Sequence, residues 1–284
     1  MKLKIAIQKS GRLLDGSINL LKDCGIQLNN GVNKLRTEAY NFPLEVLFLR
    51  DDDIPQYVAD GVADIGMVGE NVVLEKCKQV VVIEPLDFAR CKLSIAVPKA
   101  DTYNGPDWLQ GKKIATSYPV ILRNFLEQNN IAAEIHEISG SVEIAPGIGI
   151  TDCICDLVSS GSTLFLNGLK EAEVILRSEA VIIGAGNINE GKQALLNKLL
   201  FRIRAVKKAK RYKYILLNAP DANLEEISSL IPGMKSPTIL PLATLGWSSL
   251  HSVVHEDDFW NIIESLKAAG AQGILVSPIE KMIL

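Results

Sequence analysis

Histidine is scarce in this chain of 284 residues, which contains only His136, His251 and His255. All three lie far in sequence from the acidic segments, so a histidine-based metal site or catalytic triad has little raw material. Cysteine is also sparse. The five cysteines are odd in number and scattered, and Cys153 and Cys155 lack the spacing of a zinc knuckle or a redox pair. A reducing cytoplasm suits this usage best.

The chain has no large excess of either charge and no long apolar run. Thirty basic and thirty-three acidic residues give a net charge of -3, so no overall positive field would attract nucleic acid. The one basic run, at 207–213, is predicted to end a helix. No segment approaches the length of a membrane span, and residues 1–7 are typical of a strand and not of a signal peptide. We therefore expect a cytoplasmic protein with neither nucleic-acid nor membrane partners.

Hydrophobic residues make up 48% of the chain, enough for a large core in about two domains or more. Through the first two-thirds, short apolar runs ending in Gly, Pro or Asp alternate with amphipathic helical patterns. This alternation predicts a mostly parallel α/β sheet. The predicted strands are 4–8, 44–49, 64–68, 80–83, 92–97, 112–116, 133–138, 153–158 and 174–176. The predicted helices include 13–24, 54–59 and 119–129.

A long helical pattern over 194–206 precedes a segment in which a new domain is predicted to begin. The pattern there predicts strands at 214–218, 238–242, 248–254 and 273–277, with helices at 224–230 and 258–269. The order is βαββαβ, which is the ferredoxin-like arrangement. Domains of this kind often serve regulation or assembly, although fold analogy alone assigns no role.

The most informative segment is an apolar strand that carries Asp156 and continues directly into a small, hydroxyl-rich turn. Backbone N–H groups and hydroxyls at a helix start attract anions, so a phosphate would fit this turn. Asp156 could then hold sugar hydroxyls or a metal beside the phosphate. The alternative is an ordinary turn in which a serine caps the helix. The residues of the turn are Ser159, Ser160, Gly161, Ser162 and Thr163.

A second anion-friendly turn follows the first strand and contains Lys9, Ser10, Gly11 and Arg12. Cations at a strand end suit a polyphosphate. In open α/β sheets the ligand crevice lies at the carboxyl ends of the strands, so the two turns could face one another. Lys and Arg are also common in exposed loops, and that simpler explanation stays open.

Three further strand ends carry polar residues. Arg50 could offer its guanidinium as a fork for phosphate oxygens, while the acidic residues 51–53 could simply cap the helix at 54. Gly69 and Glu70 form a turn where the backbone must approach either a ligand base or the next helix. Thr116 and Ser117 place hydroxyls before a helix that begins at a proline.

Glu143 is a lone carboxylate within an apolar stretch, 13 residues before Asp156. A carboxylate that is even partly buried needs hydrogen-bond partners. Sugar hydroxyls would serve, and a backbone amide would serve equally well.

Together these segments resemble the ATP phosphoribosyltransferase family, in its long form with a C-terminal regulatory domain. The resemblance spans the whole chain and includes a family signature from Glu143 through Asp156 to Leu164. That signature is highly specific, because the acidic residues, the apolar strand and the Ser-Gly-Ser-Thr turn all fall at the family's spacing. The other matching segments are 7–13, 50–55, 65–71, 86–88, 114–119, 237–242 and 278–282.

For the fold, the resemblance implies a bilobed core like that of periplasmic binding proteins, with the substrates in the cleft. Residues 1–91 and 180–210 would form catalytic domain I, and 92–179 would form catalytic domain II. Residues 211–284 would form the ferredoxin-like regulatory domain. The family also implies a homo-oligomer, a dimer that assembles into hexamers.

For the reaction, the resemblance implies the first step of histidine biosynthesis. N1 of the ATP adenine attacks C1 of phosphoribosyl pyrophosphate, which releases pyrophosphate and forms phosphoribosyl-ATP with Mg²⁺ present. Departure of pyrophosphate leaves positive charge on the ribose ring, so such a site needs carboxylates near the sugar and cations near the leaving group. No residue stands out as a general base, and positioning could supply most of the rate.

The resemblance also implies residue roles. The ribose 5-phosphate would bind at 159–163 and Leu164, and the ribose hydroxyls at Glu143 and Asp156. Lys9, Arg12 and Arg50 would meet the phosphates of ATP or pyrophosphate. The nucleotide pocket would be lined by Ser10, Gly11, Gly69, Glu70, Asp87, Thr116 and Ser117. Mg²⁺ would bind mainly through substrate phosphates, and histidine would act as feedback inhibitor near Thr238 and Ser277.

Two rival interpretations stay open on sequence alone. The first is a non-catalytic bilobed binding or sensor protein, which would have no need for two phosphate turns and paired carboxylates. The second is a phosphoribosyltransferase with another acceptor base. Those enzymes usually carry two adjacent acidic residues before the phosphate turn, whereas Asp152 and Asp156 here are four apart.

Overall fold

The structure is a computed structural model that describes residues 1–29, 35–158 and 161–283. The chain forms two compact units. The first contains Met1–Lys22 and Ile26–Leu196, and the second contains Asp23–Gly25 and Asn197–Leu284. Among the helices in these ranges, none combines the length and the apolar character that crossing a membrane would require.

The first unit contains two sheets, and its strands and helices alternate along the chain. In order these elements are β1 (Leu3–Gln8), α1 (Arg12–Asp23), β2 (Arg36–Glu38), β3 (Leu44–Leu49), α2 (Ile54–Ala59), β4 (Ile65–Gly69), α3 (Glu70–Lys76), β5 (Val81–Pro85), β6 (Cys91–Pro98), β7 (Lys113–Thr116), α4 (Pro119–Gln128), β8 (Glu134–Glu137), β9 (Cys153–Val158), α5 (Ser162–Leu166), β10 (Leu169–Ser178) and β11 (Ala180–Gly184).

The first sheet has six strands in the order β2-β3-β1-β4-β11-β5. β1 is the central parallel strand, because both β3 and β4 pair with it in parallel. Leu3, Ile5 and Ile7 of β1 are fully buried, and so is Ala6 between them. This burial of successive residues shows that both faces of the sheet are covered, as expected for parallel strands. The carboxyl ends of β1, β3 and β4 therefore lie together at one edge.

The second sheet has five strands in the order β10-β6-β9-β7-β8. β7 pairs in parallel with both β8 and β9, so these three strands also end at a common edge. The core beneath them contains Leu93, Ile95, Ile114 and Leu122, with Cys153 and Cys155 on the same side of β9. All five cysteines are free thiols, and burial raises the pKa of Cys153 to about 12.

The prediction of a mostly parallel sheet is wrong. In the described part of the chain, five of the nine pairings within these two sheets are antiparallel. One of the five joins the consecutive strands β2 and β3. The other four arise because the chain passes from the first sheet to the second before β6 and returns before β11. A strand that begins at the shared edge must run opposite to the βα strands that end there. The prediction also omitted β2 and β11, and it made β10 too short.

The two crossing segments are bonded to each other where they pass between the sheets. Leu86 donates its backbone N–H to the carbonyl of Ala180 (2.9 Å), and Ala180 donates to the carbonyl of Phe88 (2.9 Å). Asp87 and Ala89 in the outgoing segment both have positive φ. The connection is therefore a short, hydrogen-bonded pair of strands and not a flexible linker.

The second unit contains most of α6 (Glu190–Lys210), followed by β12 (Tyr212–Pro220), α7 (Leu224–Leu230), β13 (Thr238–Pro241), β14 (Trp247–His255), α8 (Glu256–Ala268) and β15 (Gln272–Pro278). The order βαββαβ is the predicted one. The sheet order is β13-β14-β12-β15, and every pairing is antiparallel. Ile215, Leu217 and Leu250 form its core with Ile227 of α7 and Leu266 of α8. The predicted ferredoxin-like domain is thereby confirmed.

Helix α6 spans the two compact units. The predicted domain I includes 180–210, whereas Asn197–Lys210 groups with the second unit. Local contacts explain this grouping, because Met282 donates its N–H to the carbonyl of Ala205 (3.0 Å) and Lys210 pairs with Asp23 (2.9 Å). The domain boundaries themselves stay a prediction.

The N-terminus of helix α4, which packs on the second sheet, donates hydrogen bonds to a side chain from the first sheet's half. The carboxylate of Glu75, on α3, accepts the backbone N–H groups of Val120 and Ile121, each at 3.0 Å. These donors have no partner inside the helix, and a negative charge also suits the positive end of the helix dipole.

We expect Glu75→Ala to lower the free energy of unfolding by about 1–2 kcal/mol, because two helix-end donors lose a charged acceptor. Urea unfolding followed by circular dichroism would measure this change. The control is Glu127→Ala, which removes an exposed carboxylate from α4 itself. Equal stability of the two variants would show that the contact contributes nothing.

Candidate active site

A cavity of about 370 Å³ lies where the carboxyl edges of the two sheets in the first unit meet. Its size is within the range of small-molecule sites. Both halves contribute to the wall, whose residues are Gln8, Arg12, Leu13, Asp51, Gly69, Asn71, Val72, Ala89, Arg90, Cys91, Tyr118 and Leu157.

One side of this cavity is a basic edge formed by the ends of β1 and β3. Gln8 lies opposite Leu49 in the parallel register, and the N–H of Lys9 donates to the carbonyl of Leu49 (2.8 Å). Lys9 and Arg50 therefore follow neighbouring strand ends, and Arg12 begins α1 just beyond. Their side chains are exposed and form no ion pair with any residue that the structure describes. This positive charge is left available to an anion.

The acidic residues after Arg50 do not cap α2 as the simpler interpretation required. Residues Asp51–Asp53 form a single 3₁₀ turn, and Asp53, at the N-cap position, makes no side-chain capping bond. Asp52 instead pairs with Lys76 (3.2 Å), and Asp51 lines the cavity.

The second sheet's half carries a pair of carboxylates, of which Asp156 precedes the lining residue Leu157 in the chain. Asp156, near the end of β9, is half-buried, and this burial raises the pKa of its carboxyl group. The nearby Glu143 carboxylate raises that pKa further, while a hydrogen bond from the N–H of Leu157 (2.7 Å) lowers it. Glu143 is itself half-buried in a 3₁₀ turn. The structure thus brings together the two carboxylates that the sequence placed 13 residues apart, and hydroxyl donors or a cation would relieve their repulsion.

The hydroxyl-rich turn is only partly described. Ser159 and Ser160 lie outside the described residues. Gly161 has φ +74°, a left-handed conformation that favours glycine, and it occupies the N-cap position of α5. Ser162 and Thr163 follow with exposed side chains, whereas the side chain of Leu164 is buried in a core with Val142 and Ile154.

The other predicted nucleotide contacts differ in their surroundings. Thr116 is fully buried, and its hydroxyl accepts the N–H of Tyr118 (2.9 Å). Ser117 donates to the carbonyl of Ile138 (2.7 Å), so both hydroxyls are already engaged in shaping their turn. Asp87 forms an ion pair with Arg90 (3.3 Å) in the crossing segment.

Glu70 begins α3 directly after Gly69, and its N–H donates to the carbonyl of Glu179 (2.9 Å). Ser10 and Gly11 lie in the exposed turn before α1. Of the predicted substrate-site residues, Arg12 and Gly69 line the cavity directly, whereas Glu143 does not. The immediate chain neighbours of lining residues are Lys9, Gly11, Arg50, Glu70, Ser117 and Asp156.

The predicted effector residues lie in the second unit. Thr238 lines a cavity of about 480 Å³, together with Tyr214, Lys235 and His251. Ser277 lies on β15 opposite Tyr214 in the register, but it does not line this cavity.

Sequence reasoning missed several residues of the first cavity, among them Asn71, Arg90 and Tyr118. A signal for two of them was present. Asn71 stands next to the predicted Gly69 and Glu70 turn, and Tyr118 lies between Ser117 and the proline that begins α4. Arg90 has no such signal, because its position depends on the crossing between the sheets.

The described residues contain no group of three or more His, Cys, Asp or Glu side chains that could hold a metal ion. Two nearby carboxylates are too few for a protein-only site. They do fit a Mg²⁺ ion that takes its remaining ligands from substrate phosphates and water.

Comparison with known proteins gives a consistent result. The family model described as ATP phosphoribosyltransferase (HisG) matches residues 50–205, and the model for the HisG C-terminal domain matches 209–281. The chain is 60% identical over 281 residues to an ATP phosphoribosyltransferase of Cytophaga hutchinsonii, covering 99% of this chain and 98% of the relative. It is 56% identical over 282 residues to that of Bacteroides thetaiotaomicron, covering 99% and 100%.

Solved structures give similar matches. An ATP phosphoribosyltransferase (HisG:HisZ) complex from Thermotoga maritima aligns with a TM-score of 0.60 and 29% identity, covering 71% of this chain and 98% of that chain. A histidine kinase sensor domain with similarity to periplasmic binding proteins aligns with a TM-score of 0.50 and 11% identity, covering 73% and 90%. The second match concerns the bilobed fold alone.

We expect Asp156→Asn to stabilise the fold at neutral pH. A raised carboxyl pKa means that the ionised form costs stability above the folded-state pKa, and this cost disappears as the pH falls through it. Urea unfolding at pH 7.5 and at progressively lower pH would measure the difference between the variant and the original chain. The control is Asp152→Asn, which removes the charge of an exposed carboxylate that accepts the N–H of Lys113 (2.8 Å). A loss of stability in Asp156→Asn that grows towards neutral pH would contradict the expectation.

Proposed function

The chain belongs to the ATP phosphoribosyltransferase family, and we propose that its reaction takes place in the cavity between the two sheets of the first unit. The activity is transfer of a phosphoribosyl group to ATP, the first step of histidine biosynthesis. The non-catalytic binding protein and the phosphoribosyltransferase with another acceptor are set aside, because near full-length relatives share this one activity.

We infer that the substrates are ATP and phosphoribosyl pyrophosphate. A bond forms between N1 of the adenine and C1 of the ribose, and the bond from C1 to pyrophosphate breaks with its electron pair leaving on the pyrophosphate. Positive charge develops on the ribose ring, and negative charge develops on the leaving group. Catalysis then requires opposite fixed charges on the two sides of C1.

The single observation that carries this assignment is that one cavity is lined by both halves, with basic residues at the strand ends of the first half and a carboxylate pair on the second. The basic edge of Lys9, Arg12 and Arg50 suits the phosphates of ATP or pyrophosphate. The paired carboxylates of Glu143 and Asp156 suit the ribose hydroxyls and the positive ring. Because the two groups come from different sheets, the reacting atoms would meet between them.

The ribose 5-phosphate belongs, in this proposal, at the turn 159–163. Support comes from the left-handed conformation of Gly161 at the N-cap of α5, and from the exposed side chains of Ser162 and Thr163. The buried side chain of Leu164 would anchor α5 behind the phosphate. Gly69, Glu70, Asp87, Thr116 and Ser117 remain candidates for the nucleotide pocket, together with Ser10 and Gly11.

We propose Mg²⁺ as the metal. When bound, it would neutralise charge on the departing pyrophosphate. Asp156 and Glu143 would hold it through water or through the ribose hydroxyls, since the carboxylate pair gains from a nearby cation. No general base is assigned, because adenine N1 already has a lone pair and the protein's task is orientation.

Histidine inhibition is proposed for the second unit. The ferredoxin-like domain provides a cavity with polar residues from three strands, including Thr238, and Ser277 lies on β15 as a second candidate contact. The proposal includes a cytoplasmic location and assembly of dimers into hexamers.

Activity should depend on the carboxylate and on the turn. We expect Asp156→Asn and Thr163→Val each to lower kcat/KM at least 100-fold, since one removes charge from the ribose side and the other a phosphate donor. The assay mixes the protein with ATP, phosphoribosyl pyrophosphate and Mg²⁺ and follows the near-ultraviolet absorbance of the product. The Asp152→Asn control should retain its activity. Near-normal rates in either site variant would refute the residue assignment.

Histidine inhibition should weaken when the second cavity is altered. We expect Thr238→Val to raise the half-inhibitory histidine concentration about tenfold, the effect of one lost hydrogen bond to the effector. The kcat without histidine should be unchanged. Ser229→Ala, which removes an exposed hydroxyl on α7, serves as control. Unaltered inhibition in Thr238→Val would place the effector elsewhere.

A further inference from the structure

Asn71 connects the two halves of the first unit at the wall of the cavity. It lies in the first turn of α3 and is only 5% exposed. Its backbone N–H donates to the hydroxyl of Ser178 at the end of β10 (3.0 Å), and that hydroxyl donates to Oδ1 of Asn71 (2.9 Å). Across the cavity wall, Nδ2 of Asn71 donates to the hydroxyl oxygen of Tyr118 (3.3 Å).

These contacts fix the orientation of the carboxamide. Ser178 engages its oxygen, so its nitrogen must face Tyr118. The backbone of Gly69 also packs against it, because a Cβ at Gly69 would lie 2.4 Å from Oδ1 of Asn71. Any side chain at position 69 would displace the amide. Steric contact with Asn71 therefore explains why this turn has a glycine.

The orientation of the amide determines what the Tyr118 hydroxyl can do. An amide nitrogen is only a donor, so the phenolic oxygen must accept. The single proton of the hydroxyl is therefore free to be donated in another direction. Tyr118 is half-buried and lines the cavity.

The surroundings of Tyr118 keep that proton in place. Burial raises the pKa of the phenol, and the carboxylates of Asp156 and Asp51 raise it further. The hydroxyl is thus a neutral donor in the electrostatic field of the Asp156 and Asp51 carboxylates. A sugar hydroxyl satisfies both groups at once, because it can accept from the phenol while donating to Asp156.

We propose that Tyr118 donates a hydrogen bond to a ribose hydroxyl of phosphoribosyl pyrophosphate, and that Asn71 is the positioning residue that aims it. The inference rests on the proposed function of the cavity. It adds a residue at the start of α4 that would recognise the sugar. This residue is separate from the turn that would hold the 5-phosphate.

Kinetics of Tyr118→Phe, Asn71→Leu and the double variant test the proposal. We expect Tyr118→Phe to raise the KM for phosphoribosyl pyrophosphate about tenfold and to change the KM for ATP less than twofold. Asn71→Leu should raise the same KM about fivefold. The double variant should match Tyr118→Phe within twofold, because Asn71 acts through the phenol. Multiplied effects, about fiftyfold, would overturn the positioning role.

Two controls separate this role from general stability. Tyr103→Phe removes another phenol of the second sheet, one that is bonded to Glu173 away from the cavity, and should leave both KM values unchanged. Ser178→Ala removes the group that orients Asn71 and should reproduce the Asn71→Leu effect in a chain with an unperturbed core. No change in KM for Ser178→Ala and Asn71→Leu would refute the chain of contacts.

Binding of sugar phosphates provides a readout without turnover. Calorimetry with ribose 5-phosphate and its 2-deoxy and 3-deoxy forms should show that one deoxy form binds about tenfold more weakly, and that Tyr118→Phe abolishes this preference. A preference that survives in Tyr118→Phe would overturn the proposal. If Tyr118→Phe shifts only the acid limb of the pH–rate profile, the phenol serves Asp156 and not the substrate, which also overturns it. An inactive original chain would instead refute the proposed function.

Discussion

The parallel pairing of β1 with β3 and β4, and of β7 with β8 and β9, is the constraint on which the chemistry of this chain depends. Parallel strands end at a common edge, so residues distant in sequence become neighbours without any direct bond between them. Each sheet supplies one edge, and the two edges meet at the cavity. In the proposed site, the basic residues come from one edge and the paired carboxylates from the other, which suits the charges that develop in phosphoribosyl transfer.

Charged groups without partners favour substrate binding but lower the stability of the fold. The cations of Lys9, Arg12 and Arg50 at the first edge form no ion pair within the described part of the chain, and Asp156 on the second sheet is half-buried in the field of Glu143. Each group would be more stable with a partner inside the protein. In the proposed site, the phosphates and hydroxyls of the substrates would supply the missing partners.

Much of the fold could be predicted from the sequence, because β3, β9, α2 and α7 have patterns with clear beginnings and ends. The βαββαβ order of the second unit could be predicted for the same reason. Strand direction could not, since an apolar run such as that of β6 or β11 gives no sign of the edge at which it begins. That information lies in the crossing between the sheets.

The site shows the same division. Lys9, Arg50 and Asp156 could be proposed because they stand at or near the ends of recognisable strands and lie in segments that match the family. Asn71 and Tyr118 stand beside predicted turns, but the hydrogen bond that joins them across the two halves could not be predicted. A sequence pattern records neighbours along the chain, whereas a bond between distant segments depends on the folded backbone.

The position of β11 has a consequence for how the protein is made. β11 separates β4 from β5, so these two strands have no direct pairing, and the first sheet is incomplete until the ribosome has added residues 180–184. The second sheet is encoded almost wholly before that point. A nascent chain could therefore complete the second sheet first and the first sheet afterwards. Until β11 is added, β4 and β5 would each lack a partner strand on the side where β11 pairs.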